Sequence, residues 1–230
     1  MHGISQPKAY RAYLFDLDGT LVDTAPDLHV ALNATLEDAG YPTAPATTTR
    51  HWIGHGARAM LTQGLTSAAC ANLENEVERL LPEFLGRYEA LGATHSELYL
   101  GVAETLQTLQ RQGAKLAVVT NKIARFTHPI LEALSVHGYF DAVVCGDTTA
   151  QPKPAPDPVH YAMRALASDQ GNTLFVGDSM TDVAAARAAE VDVVCVRYGY
   201  NQGDDVSTYP VLGVLEKFTD LLNYADQTNS

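Results

Sequence analysis

The feature that most constrains the 230-residue sequence is a rhythm, in which short apolar runs rich in Val, Leu and Phe alternate with longer stretches of helical spacing. The runs Ala12 to Asp16, Leu116 to Thr120, Ala142 to Cys145, Leu174 to Gly177 and Val191 to Val196 read as buried strands. Between them, Gly101 to Gln112 sets Val102, Leu106 and Leu109 on one helical stripe ahead of Gly113. Asp157 to Ala167 does the same with Val159, Ala162, Met163 and Leu166, and Pro158 is tolerated in a first turn. Strand, helix, strand in this order predicts an α/β fold: a doubly wound, Rossmann-like parallel sheet that binds ligands at the carboxyl ends of its strands.

One region breaks the rhythm. From about Leu21 to Leu98 there is no strand-like run, but helical stripes recur. Pro26 to Ala39 carries Leu28, Leu32 and Leu36 and stops at Gly40; Leu73, Val77, Leu80, Phe84 and Tyr88 form a second stripe that Pro82 should kink or split. The economical reading is an inserted α-helical cap over residues 21–98, with residues 1–20 and 99–230 as the α/β core. Hinges are expected near Leu21 to Thr24 and Glu97 to Gly101, since a covered site must still admit substrate and release product.

Composition supports a globular chain, because 46% of residues are hydrophobic and only 18% charged. The 15 basic against 27 acidic side chains leave a formal charge of −12, which argues against nucleic acid and anionic membrane as partners. Cys70, Cys145 and Cys195 have no zinc or redox spacing and read as reduced and structural. Residues Met1 to Arg11 hold no apolar run for a signal peptide, and no segment approaches the roughly 20 apolar residues of a membrane span. A cytoplasmic protein, monomer or homodimer, is expected.

The chemistry begins where the first strand ends, at Asp16-Leu17-Asp18-Gly19-Thr20-Leu21-Val22-Asp23. Two carboxylates two residues apart on extended backbone point the same way, and Gly19 lets the chain turn off. A calcium loop is ruled out because Asp27 stands where the twelfth-position Glu belongs. Three further motifs follow strand ends or lie in nearby loops: Thr120-Asn121, Lys153 within Gln151-Pro152-Lys153-Pro154, and Gly177-Asp178-Ser179 with Asp182 four residues on. Singly, Asp18 reads as a turn residue, Thr120 as a strand-end cap, Lys153 as a solvated loop lysine and Asp182 as a helix cap.

Together, in this order and spacing, the four motifs resemble those of the haloacid dehalogenase superfamily phosphatases. The resemblance implies Mg2+ held by Asp16, Asp178 and the backbone carbonyl of Asp18, with Thr20 and Asp182 behind these ligands. It also implies Asp16 as the nucleophile that becomes an aspartyl phosphate, and Asp18 as the acid/base. Thr120 and Asn121 would donate to phosphoryl oxygens, and Lys153 would supply fixed positive charge. Halide displacement is set aside because the second aspartate is present. An imine mechanism is set aside because residues 21–98 contain no lysine.

In the cap, Arg50-His51-Trp52-Ile53-Gly54-His55-Gly56-Ala57-Arg58 is similar to the specificity segment of phosphoglycolate phosphatases, which usually have Asn at the position of His55. Arg197 to Gly203 resembles the same group. The implied substrate is a small phosphorylated metabolite, 2-phosphoglycolate first, with Arg50, Gly54, His55 and Arg58 as cap specificity residues and Arg58 or His55 over its carboxylate. The plainer reading has Trp52 and Ile53 anchoring a helix start while the arginines face solvent. Alternatives are phosphatase action on N-acetylmuramic acid 6-phosphate or another sugar phosphate, and a phosphosugar mutase, which the lysine-free cap disfavours. A phospho-accepting receiver domain would be about half this length and lack a cap.

Overall fold

The computed structural model describes residues 10–54, 56–201 and 203–225. Strand β1 (Ala12–Phe15) is buried along its whole length. It pairs in parallel with β4 (Lys115–Val119) on one side and β6 (Thr173–Gly177) on the other, Leu14 lying beside both Ala117 and Phe175. Strand β5 (Ala142–Val144) extends the sheet beyond β4, and β7 (Asp192–Val196) extends it beyond β6. The order β5-β4-β1-β6-β7-β8 is parallel throughout, with β8 (Gly213–Leu215) at the edge. The sequence rhythm does not reveal β8, because three residues at an edge carry too little alternation.

Alternation within β1 builds two cores. Tyr13 and Phe15 face a cluster holding Val102, Leu106 and Leu109 of α5 (Val102–Arg111) and Phe126, Ile130 and Leu131 of α6 (Ala124–Ala133). Ala12 and Leu14 face the other, with Val159, Ala162 and Met163 of α7 (Asp157–Leu166) and Val183 and Ala186 of α8 (Met180–Ala188). With both faces covered, a strand needs apolar residues at every position, which is why these strands read as unbroken apolar runs.

Helices α1 (Ala25–Asp38), α2 (Ala46–Arg50), α3 (Ala57–Ser67) and α4 (Leu73–Leu91) lie between β1 and α5, and α4 packs on both α1 and α3. Of the kink or split expected at Pro82, the split does not occur: α4 is one helix. Pro82 sits on the exposed side, while Val77, Leu80 and Phe84 are buried on either side of it. Their burial, at roughly 1.5–3 kcal/mol each, outweighs the roughly 3 kcal/mol a proline costs inside a helix. The expectation of no strand in this region also fails at its two ends. Val22–Asp23 (β2) and Glu97–Leu98 (β3) pair antiparallel, so the two chain crossings into and out of the helical region form one ribbon. Two-residue strands have no legible period. No helix among the described residues is long and apolar enough to cross a membrane.

Candidate active site

Because neighbouring strands lie about 4.8 Å apart, the adjacent order β4-β1-β6 brings three motifs within reach of one another. Asp16 follows β1, Thr120 follows β4 and Asp178 follows β6, all at the carboxyl end of the sheet and all buried. Lys153 arrives from the loop after β5. Its Nζ stands 2.8 Å from Asp16 Oδ1 and 2.6 Å from Asp182 Oδ1. Asn121 anchors that loop, its Nδ2 donating to the Lys153 carbonyl at 2.8 Å. Of the Asn121 donors, the side-chain nitrogen is therefore committed to holding the lysine loop.

Asp182 is both cap and support. Its Oδ2 accepts from the Asp178 and Ser179 amides at 3.2 and 3.1 Å and from Ser179 Oγ at 2.8 Å, closing a capping box at the start of α8, while Oδ1 takes Lys153. Asp178 is seated by a loop on its other side: the Tyr200 amide donates to Asp178 Oδ2 at 2.5 Å. The approach is close enough to require glycine, since a Cβ on Gly199 would lie 2.2 Å from Asp178 Cβ and one on Gly19 would lie 2.2 Å from Asp178 Oδ2. Gly19 has φ +88, a conformation L side chains rarely adopt.

One carboxylate oxygen each of Asp16, Asp178 and Asp182 lies within 4.8 Å of the others. The Asp182 oxygens are spent on Lys153 and the capping box. Asp16 Oδ1 is buried without an aligned hydrogen bond, although Lys153 is near. Burial pushes the Asp16 carboxyl up to about 7 against the pull of Lys153, with Asp182 and Asp18 adding to the rise. Burial also raises Asp178 well above the ordinary carboxylate range, followed by repulsion from Asp182 and Asp16. Burial opposes the charge on Lys153, but the two carboxylates outweigh it and hold the ammonium charged. A pair of crowded, dehydrated carboxylates is the donor set a small hard divalent cation takes, so the residues fit Mg2+. The Asp18 carboxylate is not among the three clustered acids. Thr20 Oγ1, expected behind the ligands, is buried with no partner among the described residues.

Above these groups lies a cavity of about 240 Å3. Asp16, Asp18, Thr120 and Lys153 form its floor, and Leu28, Ile53, Met60, Leu81, Leu85 and Phe126 make much of the opposite wall apolar. Of the helical specificity residues, Gly54 and Arg58 reach this wall, but the Arg58 guanidinium is exposed and paired with Glu78 at 2.7 and 3.1 Å. Arg50 does not line it. It binds both Asp23 oxygens at 3.1 Å and the Tyr99 hydroxyl at 3.0 Å, with its guanidinium 4.6 Å from the Tyr200 ring centroid. Arg50 thus clamps the β2–β3 ribbon instead of facing a ligand, because α2 ends beside that ribbon. His55 lies outside the described residues. Ile53 is buried and Trp52 packs against the core, as the plainer reading of the segment expects.

The sequence reading missed Lys122. It follows Asn121 in the strand-end loop, has a largely covered side chain, lines the cavity, and pairs with Asp18 Oδ1 at 2.7 Å. Asp18 Oδ1 also accepts from Thr24 Oγ1 at 2.5 Å. The scarcity of lysines, five in the chain, singles out Lys122 as well as Lys153.

A parallel sheet with this carboxylate and lysine arrangement at its carboxyl edge defines a class, and the chain belongs to it: the haloacid dehalogenase-like hydrolase family, whose model matches residues 13–196. Within that family the chain is similar to proteins named phosphoglycolate phosphatase. It is 40% identical over 214 residues to the phosphoglycolate phosphatase of Colwellia psychrerythraea, covering 91% of this chain and 94% of that one. It is 39% identical over 221 residues to phosphoglycolate phosphatase 1 of Pseudomonas aeruginosa, covering 94% and 80%. A crystal structure described as a predicted phosphoglycolate phosphatase of Haemophilus somnus superposes with a TM-score of 0.87 at 34% identity, over 96% of this chain and 99% of that one.

Proposed function

We propose that this chain is a cytoplasmic Mg2+-dependent phosphomonoesterase that uses Asp16 as nucleophile on a small phosphorylated metabolite, 2-phosphoglycolate first. The observation that carries the reading is the buried Asp16 on the cavity floor, flanked by Asp178 and Lys153. Asp16, Asp178 and the Asp18 carbonyl would hold Mg2+, which supplies positive charge against the phosphoryl group. Asp16 attacks phosphorus and the bond to the ester oxygen breaks. Asp18 gives that oxygen a proton, then takes one from the water that attacks the aspartyl phosphate and releases Asp16 with inorganic phosphate. Thr120 Oγ1 and the Asn121 backbone N–H are the donors on the β4 side, and Lys153 offsets charge on the transferring group. Residues 21–98 act as a cap that swings on the β2–β3 ribbon and excludes water during transfer.

The names of the relatives support 2-phosphoglycolate. The apolar cavity wall favours a second reading, N-acetylmuramic acid 6-phosphate or another larger sugar phosphate. Phosphate release from both compounds, measured side by side with Mg2+, separates the two. No release from any phosphomonoester, or full activity in Asp16→Asn, overturns the phosphatase reading itself.

A further inference from the structure

Two polar groups on the cavity wall have no role in the mechanism above. One is the Tyr88 hydroxyl. Tyr88 lines the cavity from α4 and is 4% exposed, yet its hydroxyl has no hydrogen-bond partner among the described residues. A buried hydroxyl left unpaired costs about 1–3 kcal/mol, so an orphan facing a cavity indicates an acceptor that arrives from outside. The other group is Lys122, whose Nζ lies 5.0 Å from the Tyr88 ring centroid and is near the hydroxyl without the alignment of a hydrogen bond. The two come from opposite sides of the cavity, Tyr88 from the helical region and Lys122 from the core.

The only carboxylate paired with Lys122 among the described residues is Asp18, and the same Asp18 oxygen is tied to Thr24. In that position Asp18 is occupied by a cation and a hydroxyl. For Oδ1 to exchange protons with the leaving oxygen it must let go of Lys122, and a buried ammonium stripped of its counter-ion is costly. A substrate that brings its own anion to Lys122 removes that cost. Of the other cations on the wall, Arg58 is held by Glu78, and Lys153 by Asp16 and Asp182.

We propose that Lys122 and Tyr88 form the subsite for a carboxylate on the leaving group, and that Asp18 occupies Lys122 until that carboxylate displaces it. Lys122 supplies charge, and the Tyr88 hydroxyl donates the directional hydrogen bond. The subsite selects phosphomonoesters whose alcohol carries a carboxylate close to the ester oxygen and couples their binding to the release of Asp18. Carboxylate recognition is thereby assigned to a core lysine and a helical tyrosine in place of the cap arginines. The inference rests on the phosphomonoesterase reading.

The test compares 2-phosphoglycolate with its neutral amide, in which one carboxylate oxygen is replaced by NH2. Wild type should favour the acid. The acid-to-amide ratio of kcat/KM should fall about tenfold in Tyr88→Phe and about 100-fold in Lys122→Met, the range for hydrogen bonds to charged groups. Tyr88→Phe removes a hydroxyl that has no hydrogen-bond partner among the described residues, so its thermal stability should match or exceed wild type, and a merely structural role would leave the ratio unmoved. If Lys122→Met does not fold with Asp18 left unpaired, Lys122→Arg keeps the charge and should retain most of the acid preference. A wild type without acid preference, an unchanged ratio in Tyr88→Phe, or an unchanged ratio in folded Lys122→Met overturns the inference while the phosphatase reading stands. Absence of phosphate release from any phosphomonoester overturns both.

Discussion

The two sides of the cavity solve the placement of charge differently. On the sheet side, Lys153 and Asp182 are each held by at least two fixed partners and Asp178 by the Tyr200 amide, and the strands set their spacing. On the helical side, the arginines look outward or sideways: Arg58 to exposed Glu78, Arg50 to the ribbon. What faces the site from the helices is mostly apolar surface and one unpartnered tyrosine hydroxyl. Strand ends impose geometry on whatever side chain occupies them. A helix face only offers a surface, and the aim of a long side chain on it depends on which partner is near.

If this contrast is right, the largest effect outside Asp16 itself falls on Lys153. Lys153→Met should lower kcat by about 100- to 1000-fold, as for loss of one preorganised charge at a reacting centre. It should also lower thermal stability in metal-free buffer, because Asp16 and Asp182 are left without their counter-charge.

Mg2+ comes next. A carboxyl raised to about 7 in the fold binds its proton more tightly folded than unfolded. The metal-free chain therefore loses stability as pH climbs from the ordinary carboxylate value near 4 through 7. Mg2+ returns what the proton gave up. At about 100 times its dissociation constant it should raise the melting temperature by roughly 5–10 °C, more at pH 8 than at pH 5.5, read by calorimetry. An equal rise at both pH values would break the account of the buried pair.

The helical side should respond more weakly. Arg50→Gln removes the clamp on Asp23 and should lower kcat/KM about tenfold, roughly 1.4 kcal/mol in the transition state, with Mg2+ affinity unchanged. Equal loss on acid and amide would confirm that Arg50 acts through the ribbon and not on substrate. The smallest effect belongs to Arg58→Ala: an exposed ion pair contributes little, so steady-state kinetics should move by less than about threefold. A large, acid-selective loss there would shift the carboxylate subsite from Lys122 to the cap and erase the contrast between the two sides.

How much of this was legible beforehand differs along the same division. The apolar runs Leu116 to Thr120 and Leu174 to Gly177 carried the sheet and, with it, the adjacency of Thr120 and Asp178 to Asp16. The short strands at 22–23, 97–98 and 213–215 were invisible because so few residues have no period. Asn121 was legible as a site residue, but not that its amide would hold the Lys153 loop. Lys122 was overlooked because a lysine one residue past a motif looks like any solvated loop lysine until the fold buries it.

By itself, then, the sequence determined the α/β sheet, the inserted helices and the set of carboxylates and Lys153 at the strand ends. The sheet and helices follow from hydrophobic period, a local property, whereas the carboxylates and Lys153 were singled out by the resemblance of the four motifs to those of the family. Only the tertiary structure decided which cation meets which acid: Arg50 with Asp23, Arg58 with Glu78 and Lys122 with Asp18. Such pairings join residues 20 to 104 positions apart. Because Lys and Arg reach across several ångströms on flexible stems, their partners are chosen by packing rather than by neighbours in the chain.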